Sequence, residues 1–169
     1  MWYNVGMNKA FVFDFDDTLA TTYCQVLVRN SAGEVIERLS PAEFNGYSLG
    51  VDEKFDFKQF RSAEFIRSAN PTFLMALAQE VYNEGHSVYV LTARADNVAA
   101  AITEWLCGFG VKPVRVFGVG SDSEKVDIPA EKQKVLQTIK ELFDVVYFYD
   151  DDQHNVDLAD QVGVKTYLV

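Results

Sequence analysis

Ala10-Phe11-Val12-Phe13-Asp14-Phe15-Asp16-Asp17-Thr18-Leu19 opens with an apolar run of strand type and breaks abruptly into Asp-x-Asp-Asp-Thr. A short apolar run bounded by polar residues reads as a strand buried on both faces. Three carboxylates then crowd its mouth. Like charges this close repel, and at least one resists ionisation unless something positive sits among them. A divalent cation is the simplest remedy, and hard oxygen donors suit magnesium better than zinc. The stretch therefore predicts a metal-dependent carboxylate site at the carboxyl end of a central strand.

Outward from this strand, the chain alternates strand and helix. The strand over Ala10–Phe15 is followed by strands at Ser87–Leu91, Val114–Val119, Val145–Tyr149 and Lys165–Val169. Helices are expected over Pro71–Glu84, Asp96–Gly108, Pro129–Phe143 and His154–Val162. In the first, Asn70 serves as N-cap, Pro71 takes the first position, Gly85 ends it, and Phe73, Leu74, Leu77, Val81 and Tyr82 have helical spacing. Short apolar strands separated by helices imply a parallel sheet covered on both faces.

One segment departs from this alternation. Val26-Leu27-Val28, Asn30-Ser31-Ala32-Gly33 and Val35-Ile36 read as a β-hairpin. An aromatic-rich stretch follows, with Phe44, Tyr47, Phe55, Phe57, Phe60 and Phe65. Those rings either anchor a loopy insert to the core or form a stacking surface; burial is the commoner fate of aromatics. The insert is too short for a second domain, so residues 1–169 are expected to form one domain with a flap and minimal cap-like insert over 20–70.

Composition limits the alternatives. The chain has 169 residues, 49% hydrophobic and 14% aromatic, enough to build a core and unlike a disordered chain. No apolar run approaches the ~20 residues of a membrane span, and Met1-Trp2-Tyr3-Asn4 lacks the pattern of a signal peptide. With only Cys24 and Cys107, a reducing cytoplasm is the default location, and Cys107 is expected in the core. A net charge of −10 disfavours broad nucleic-acid binding. Residues 26–70, however, carry six basic and seven acidic side chains, so the excess acid lies elsewhere.

Three strand ends carry chemistry: Asp14-Phe15-Asp16-Asp17-Thr18, Leu91-Thr92-Ala93-Arg94 and Asp150-Asp151-Asp152. Each alone reads as a turn or helix cap. In open parallel α/β sheets, ligands bind beyond the carboxyl ends of the strands, so three such ends point to one site. A lysine could balance its charge. Lys125, Lys132 and Lys134 are available, and Lys132 lies on the apolar face of its helix with Val135, Leu136 and Ile139, in the first turn.

In this order and spacing, Asp14-x-Asp16-x-Thr18-Leu19, Thr92, the helical lysine and Asp150-Asp151 resemble the four motifs of the haloacid dehalogenase-type (HAD) phosphotransferase superfamily. The resemblance covers residues 9 to about 160. It implies an α/β, Rossmann-like three-layer sandwich with a parallel sheet in the order 5-4-1-2-3, and a β-hairpin flap after the first strand. It further implies a magnesium-dependent (Mg2+) phosphatase with Asp14 as nucleophile and Asp16 as acid and base. Thr92 and Lys132 would hold the phosphate, with Ala93 and Arg94 beside it as substrate contacts. Asp14, the Asp16 carbonyl, Asp150 and Asp151 would hold the metal. Asp17 has no required role, Asp152 reads as an N-cap, and His154 as a helix-start residue.

The small insert implies an open site, as in the 3′-phosphatase domains of polynucleotide kinase-phosphatases, so a nucleic-acid 3′-phosphate end is one expected substrate. A nucleotide or other small phosphoester is the alternative, and a non-catalytic protein of the same fold would have lost the motif acids, which are all present. No membrane association and no stable protein partner are expected. A receiver module is excluded because its phosphorylated Asp lies on a later strand, and no GxxxxGK[ST] phosphate loop is present.

Overall fold

The computed structural model describes residues 6–121 and 126–169. In chain order the elements are β1 (Lys9–Phe13), β2 (Ala20–Thr21), β3 (Val26–Arg29), β4 (Val35–Leu39), α1 (Pro41–Gly46), β5 (Lys54–Asp56), α2 (Ala63–Arg67) and β6 (Asn70–Pro71). There follow α3 (Leu74–Asn83), β7 (Ser87–Ala95), α4 (Ala99–Gly108), β8 (Arg115–Gly120), α5 (Ile128–Lys140), β9 (Val145–Asp150), α6 (Gln153–Asp160) and β10 (Lys165–Leu168). A 3-10 turn at Lys58–Arg61 precedes α2, and another at Asp96–Val98 precedes α4.

The main sheet has the order β10-β9-β1-β7-β8, and every adjacent pair is parallel. Counted along this sheet, the order is the expected 5-4-1-2-3. β1 is central because every one of its residues from Ala10 to Phe13 is buried, so neither face tolerates water. On one face Phe11, Phe13 and Phe15 pack against Leu74, Ala78 and Val81 of α3 and Ile102, Trp105 and Leu106 of α4. On the other, Ala10, Val12 and Phe148 meet Leu136 and Ile139 of α5 and Ala159 of α6. Alternate residues of one strand thus serve two cores, the three-layer arrangement.

The insert forms a small antiparallel sheet, β4-β3-β5. Val26, Val28 and Leu39 are its buried centre, with Phe44, Tyr47, Phe55 and Phe60 packed on them. Phe44 meets Phe55 and Phe57 edge-on at 4.9 and 5.5 Å. The rings hold the insert together, with Phe57 partly exposed. Ser40 and Glu43 cap α1 reciprocally.

Three expectations change. The helix placed at Pro71 begins at Leu74, because Asn70–Pro71 instead pair with Ala20–Thr21, and the Thr72 N–H donates to the Leu19 carbonyl. The insert's two ends are thereby stitched together. Cys107 is exposed and Cys24 buried, the reverse of a core Cys107; both are free thiols. The Ser87 strand runs through Ala95, past its expected end. The expectations for Met1–Asn4 and Lys125 lie outside the described residues. Among the described residues, no helix is long and apolar enough to cross a membrane.

Candidate active site

β1 delivers Asp14, β7 delivers Thr92 and β9 delivers Asp150 to the same edge of the sheet. The Asp14 N–H donates to the Tyr149 carbonyl at 2.9 Å, extending the β1–β9 pairing by one residue. The chain then curls. The Phe15 carbonyl accepts from the amides of Thr18, Leu19 and Ala20, and Asp17 takes a left-handed conformation with φ 59°, which Asp tolerates better than most residues. This curl sends the Asp14 and Asp16 carboxylates in different directions.

Asp14 points toward α5. Lys132 Nζ donates to Asp14 Oδ1 at 2.8 Å and to Asp150 Oδ2 at 2.7 Å. The ammonium thus joins the carboxylates that finish two neighbouring strands, and all three side chains are buried. Lys134 pairs with Glu131 on the surface instead. Thr18 Oγ1 donates to Asp14 Oδ2 only at 3.4 Å. Asp150 is fixed further by the Asn155 amide at 3.1 and 3.0 Å and by the Asp152 N–H at 2.8 Å. Asp152 caps α6 through the His154 N–H, and His154 itself is largely exposed.

The electrostatics follow from burial. Desolvation pushes the Asp14 carboxyl well above the ordinary carboxylate range, against the pull of Lys132 and with the push of Asp150. Burial and the Asp150 charge push Asp151 up as well. Burial acts to lower Lys132, but Asp14 and Asp150 outweigh it and hold the ammonium charged. One cation among three acids leaves a surplus of negative charge.

Asp14, Asp150 and Asp151 each present an oxygen, and these lie within 4.8 Å of one another. An all-oxygen donor set with surplus negative charge fits Mg2+. Asn155 Oδ1, on the side chain that secures Asp150, is buried without a hydrogen-bond partner, consistent with a polar site beside it.

Asp16 is placed differently. Arg94 grips its carboxylate with two N–H groups, Nε on Oδ2 at 2.8 Å and Nη2 on Oδ1 at 2.7 Å. Thr22 Oγ1 adds a third bond, to Oδ1 at 3.0 Å. The Asp16 carboxylate is therefore not part of the three-acid cluster; only its main-chain carbonyl is left for a metal.

Arg94, expected beside the phosphate as a substrate contact, has its guanidinium on Asp16. It is buried. Beyond Asp16, its Nη1 donates to the Phe60 carbonyl at 2.6 Å, and Nη2 contacts Cys24 Sγ at 3.4 Å. Its guanidinium lies 5.1 Å from the Phe60 ring and 5.6 Å from the Phe15 ring. Asp16 and Cys24 hold the guanidinium more firmly charged, overcoming burial. Thr92 is buried, and its hydroxyl accepts the Arg94 N–H at 3.2 Å. It caps no helix, because the next turn begins at Asp96. Ala93, between them, is exposed.

The sequence pointed to Asp14, Thr92, Lys132 and Asp150. It missed Thr22, Cys24 and the Phe60 carbonyl, the groups around the Asp16–Arg94 pair. No local signal marks them, because they reach Arg94 across 34 to 72 residues of chain.

No protein-family model and no curated protein sequence matches the chain. Solved structures do. Chains in two structures of the Pnkp1/Rnl/Hen1 RNA repair complex align over 98% and 96% of this chain, at TM-scores of 0.58 and 0.62 and identities of 12% and 14%. This chain spans 43% and 45% of their length. A HAD-superfamily hydrolase of subfamily IA from Geobacter sulfurreducens aligns over 99% of this chain and 90% of its own, at a TM-score of 0.57 and 15% identity. A phospho-aspartyl intermediate analogue of phosphoserine phosphatase aligns over 96% and 87%, at 0.56 and 14%. With its central β1, its strand order and this near end-to-end correspondence, the chain has the fold of the haloacid dehalogenase-type hydrolases.

Proposed function

We propose that this chain is a magnesium-dependent phosphomonoesterase that works through an aspartyl-phosphate on Asp14. The observation that carries this reading is the buried Lys132 ammonium bridging Asp14 and Asp150. A lysine so placed fixes a nucleophilic carboxylate and neutralises part of the charge an incoming phosphate would meet.

The residues divide the work. An Asp14 carboxylate oxygen attacks phosphorus, forming the O–P bond of a mixed anhydride while the ester P–O bond breaks. The leaving alkoxide takes a proton from Asp16. Water then attacks the phosphoryl group, Asp16 accepts its proton, and inorganic phosphate departs with Asp14 restored.

Oδ1 of Asp16 already accepts from Arg94 and Thr22, whereas Oδ2 accepts from Arg94 alone. Oδ2 thus keeps the lone pair for the shuttled proton. Thr92 and the exposed Ala93 would border the phosphate position. Mg2+, held by Asp14, Asp150, Asp151 and the Asp16 carbonyl, would supply charge neutralisation between nucleophile and phosphate.

Release of phosphate from p-nitrophenyl phosphate tests this directly. It should require magnesium, stop with EDTA and vanish in Asp14→Asn. Full turnover by Asp14→Asn would rule out the covalent route.

For the substrate, the small insert supports a macromolecular phosphoester, in particular a nucleic-acid 3′-phosphate end. A repair-complex chain among the similar structures agrees with that choice. The inward packing of the insert's rings favours a second reading, a nucleotide or other small phosphoester, because it leaves few bases' worth of stacking surface. Ranking kcat/KM over 3′-phosphorylated DNA and RNA ends, nucleotides and phosphosugars separates the two. A strong preference for phosphosugars would remove the open-site argument.

A further inference from the structure

β8 ends in Gly118-Val119-Gly120, and neither glycine has room for a side chain. A Cβ on Gly120 would lie 2.0 Å from the Ala93 carbonyl oxygen. One on Gly118 would lie 2.6 Å from the Ala95 carbonyl carbon and from the Asp96 nitrogen. The obstructing atoms are all backbone, so no rotamer change relieves the clash. Neither glycine has a positive φ. Both positions use the missing side chain, not the conformational freedom, of glycine.

The close approach shapes the segment that carries Arg94. Thr92 pairs with Gly118, and the next paired residue, Ala95, faces both Val119 and Gly120. Ala93 and Arg94 fall between, in a local bulge. A bulge re-aims side chains, and here Arg94 is buried with its guanidinium on Asp16 while Ala93 stays exposed. A methyl group on Gly120 would push the Ala93 carbonyl away by about 1.4 Å, from 2.0 Å to the 3.4 Å at which ordinary contact begins.

We propose that Gly118 and Gly120 are positioning residues for the proton transfer: through Ala93 and Arg94 they set where Asp16 meets the leaving group. The inference rests on the phosphatase reading above. In the affected step the Asp14 O–P bond forms, the ester P–O bond breaks, and the proton on Asp16 Oδ2 passes to the departing oxygen.

The test is leaving-group dependence. p-Nitrophenolate departs with little need of a proton, and phenolate needs one. Gly120→Ala and Gly118→Ala should lower kcat/KM for phenyl phosphate by about 10²-fold, and for p-nitrophenyl phosphate by about tenfold or less. In an Asp16→Asn background, Gly120→Ala should leave the ratio between the two esters unchanged. Equal losses on both esters, or a changed ratio in that background, would overturn the proposal. So would loss of the folded circular-dichroism signal in both glycine variants, which would make them sheet-packing residues only. A wild-type protein that hydrolyses neither ester would instead overturn the phosphatase reading, before any variant is needed.

Discussion

Lys132→Met keeps the side-chain length and removes the ammonium that touches Asp14 at 2.8 Å and Asp150 at 2.7 Å. All three side chains are at most 8% exposed, so water cannot replace the lost charge. Removing one partner of a buried ion pair costs about 3–5 kcal/mol. At about 2–4 °C per kcal/mol for a chain of this size, Tm at neutral pH in EDTA should fall by about 6–20 °C.

The loss should depend on pH in a set direction. Burial already holds the Asp14 carboxyl well above its ordinary 3.8, and Lys132→Met removes the ammonium that opposes this rise. A carboxyl whose folded pKa exceeds its unfolded one binds protons more tightly in the folded state. Stability therefore rises as pH falls through the folded value and drops as pH rises through it. The deficit of Lys132→Met should shrink as pH falls from neutrality through the raised folded value of Asp14. In the wild type, Lys132 keeps its stabilising charge until strongly alkaline pH, because its own pKa is raised. Calorimetric melting of both proteins in EDTA across this range is the assay. A deficit equal at both ends of the range, or smaller than about 1 kcal/mol, would show that Lys132 fills space without balancing charge.

Asp151→Asn should raise the magnesium concentration needed for half-maximal phosphatase activity while leaving Tm in EDTA unchanged or slightly higher, because the Asp150 charge beside it is repulsive. Asp150→Asn should raise the magnesium requirement and also change Tm, because Asp150 receives Lys132 and Asn155 in the buried cluster; titrations of activity and melts of both variants check the pair. Asp16→Asn should slow breakdown of the phosphoryl enzyme, and intact-mass measurement after mixing with p-nitrophenyl phosphate should show the adduct. Asp17→Val should lower stability by about 1–2 kcal/mol in urea unfolding, since a β-branched residue resists the left-handed conformation at φ 59°, whereas Asp17→Gly should not.

The parts of the site readable from sequence are those whose placement depends on one local rule each. Asp14 and Asp150 end apolar strands, and Lys132 shares a helix face with Leu136 and Ile139, so periodicity alone puts it against the sheet. The setting of Arg94 is not legible in the sequence, because its burial depends on Asp16, 78 residues earlier, and on a carbonyl contributed by the insert. The start of α3 is hidden for the same kind of reason. Asn70 and Pro71 suit a helix start locally, but the backbone partner offered by Ala20–Thr21 draws them into a strand pair. The aromatic insert showed its rings in sequence but not their destination, since mutual packing depends on the β4-β3-β5 pairing.

The Lys132 bridge also dates the setting of Asp14 within the making of the chain. Lys132 and Asp150 follow Asp14 by 118 and 136 residues. Until β9 is made, one edge of β1 has no neighbour and Asp14 lacks the Tyr149 carbonyl. Strands synthesised in the order β1, β7, β8 and then β9 must leave a vacancy in mid-sheet and later fill it, the sort of long-range closure that slows folding. The three-acid cluster consequently stays incomplete until the strand that closes the sheet is in place.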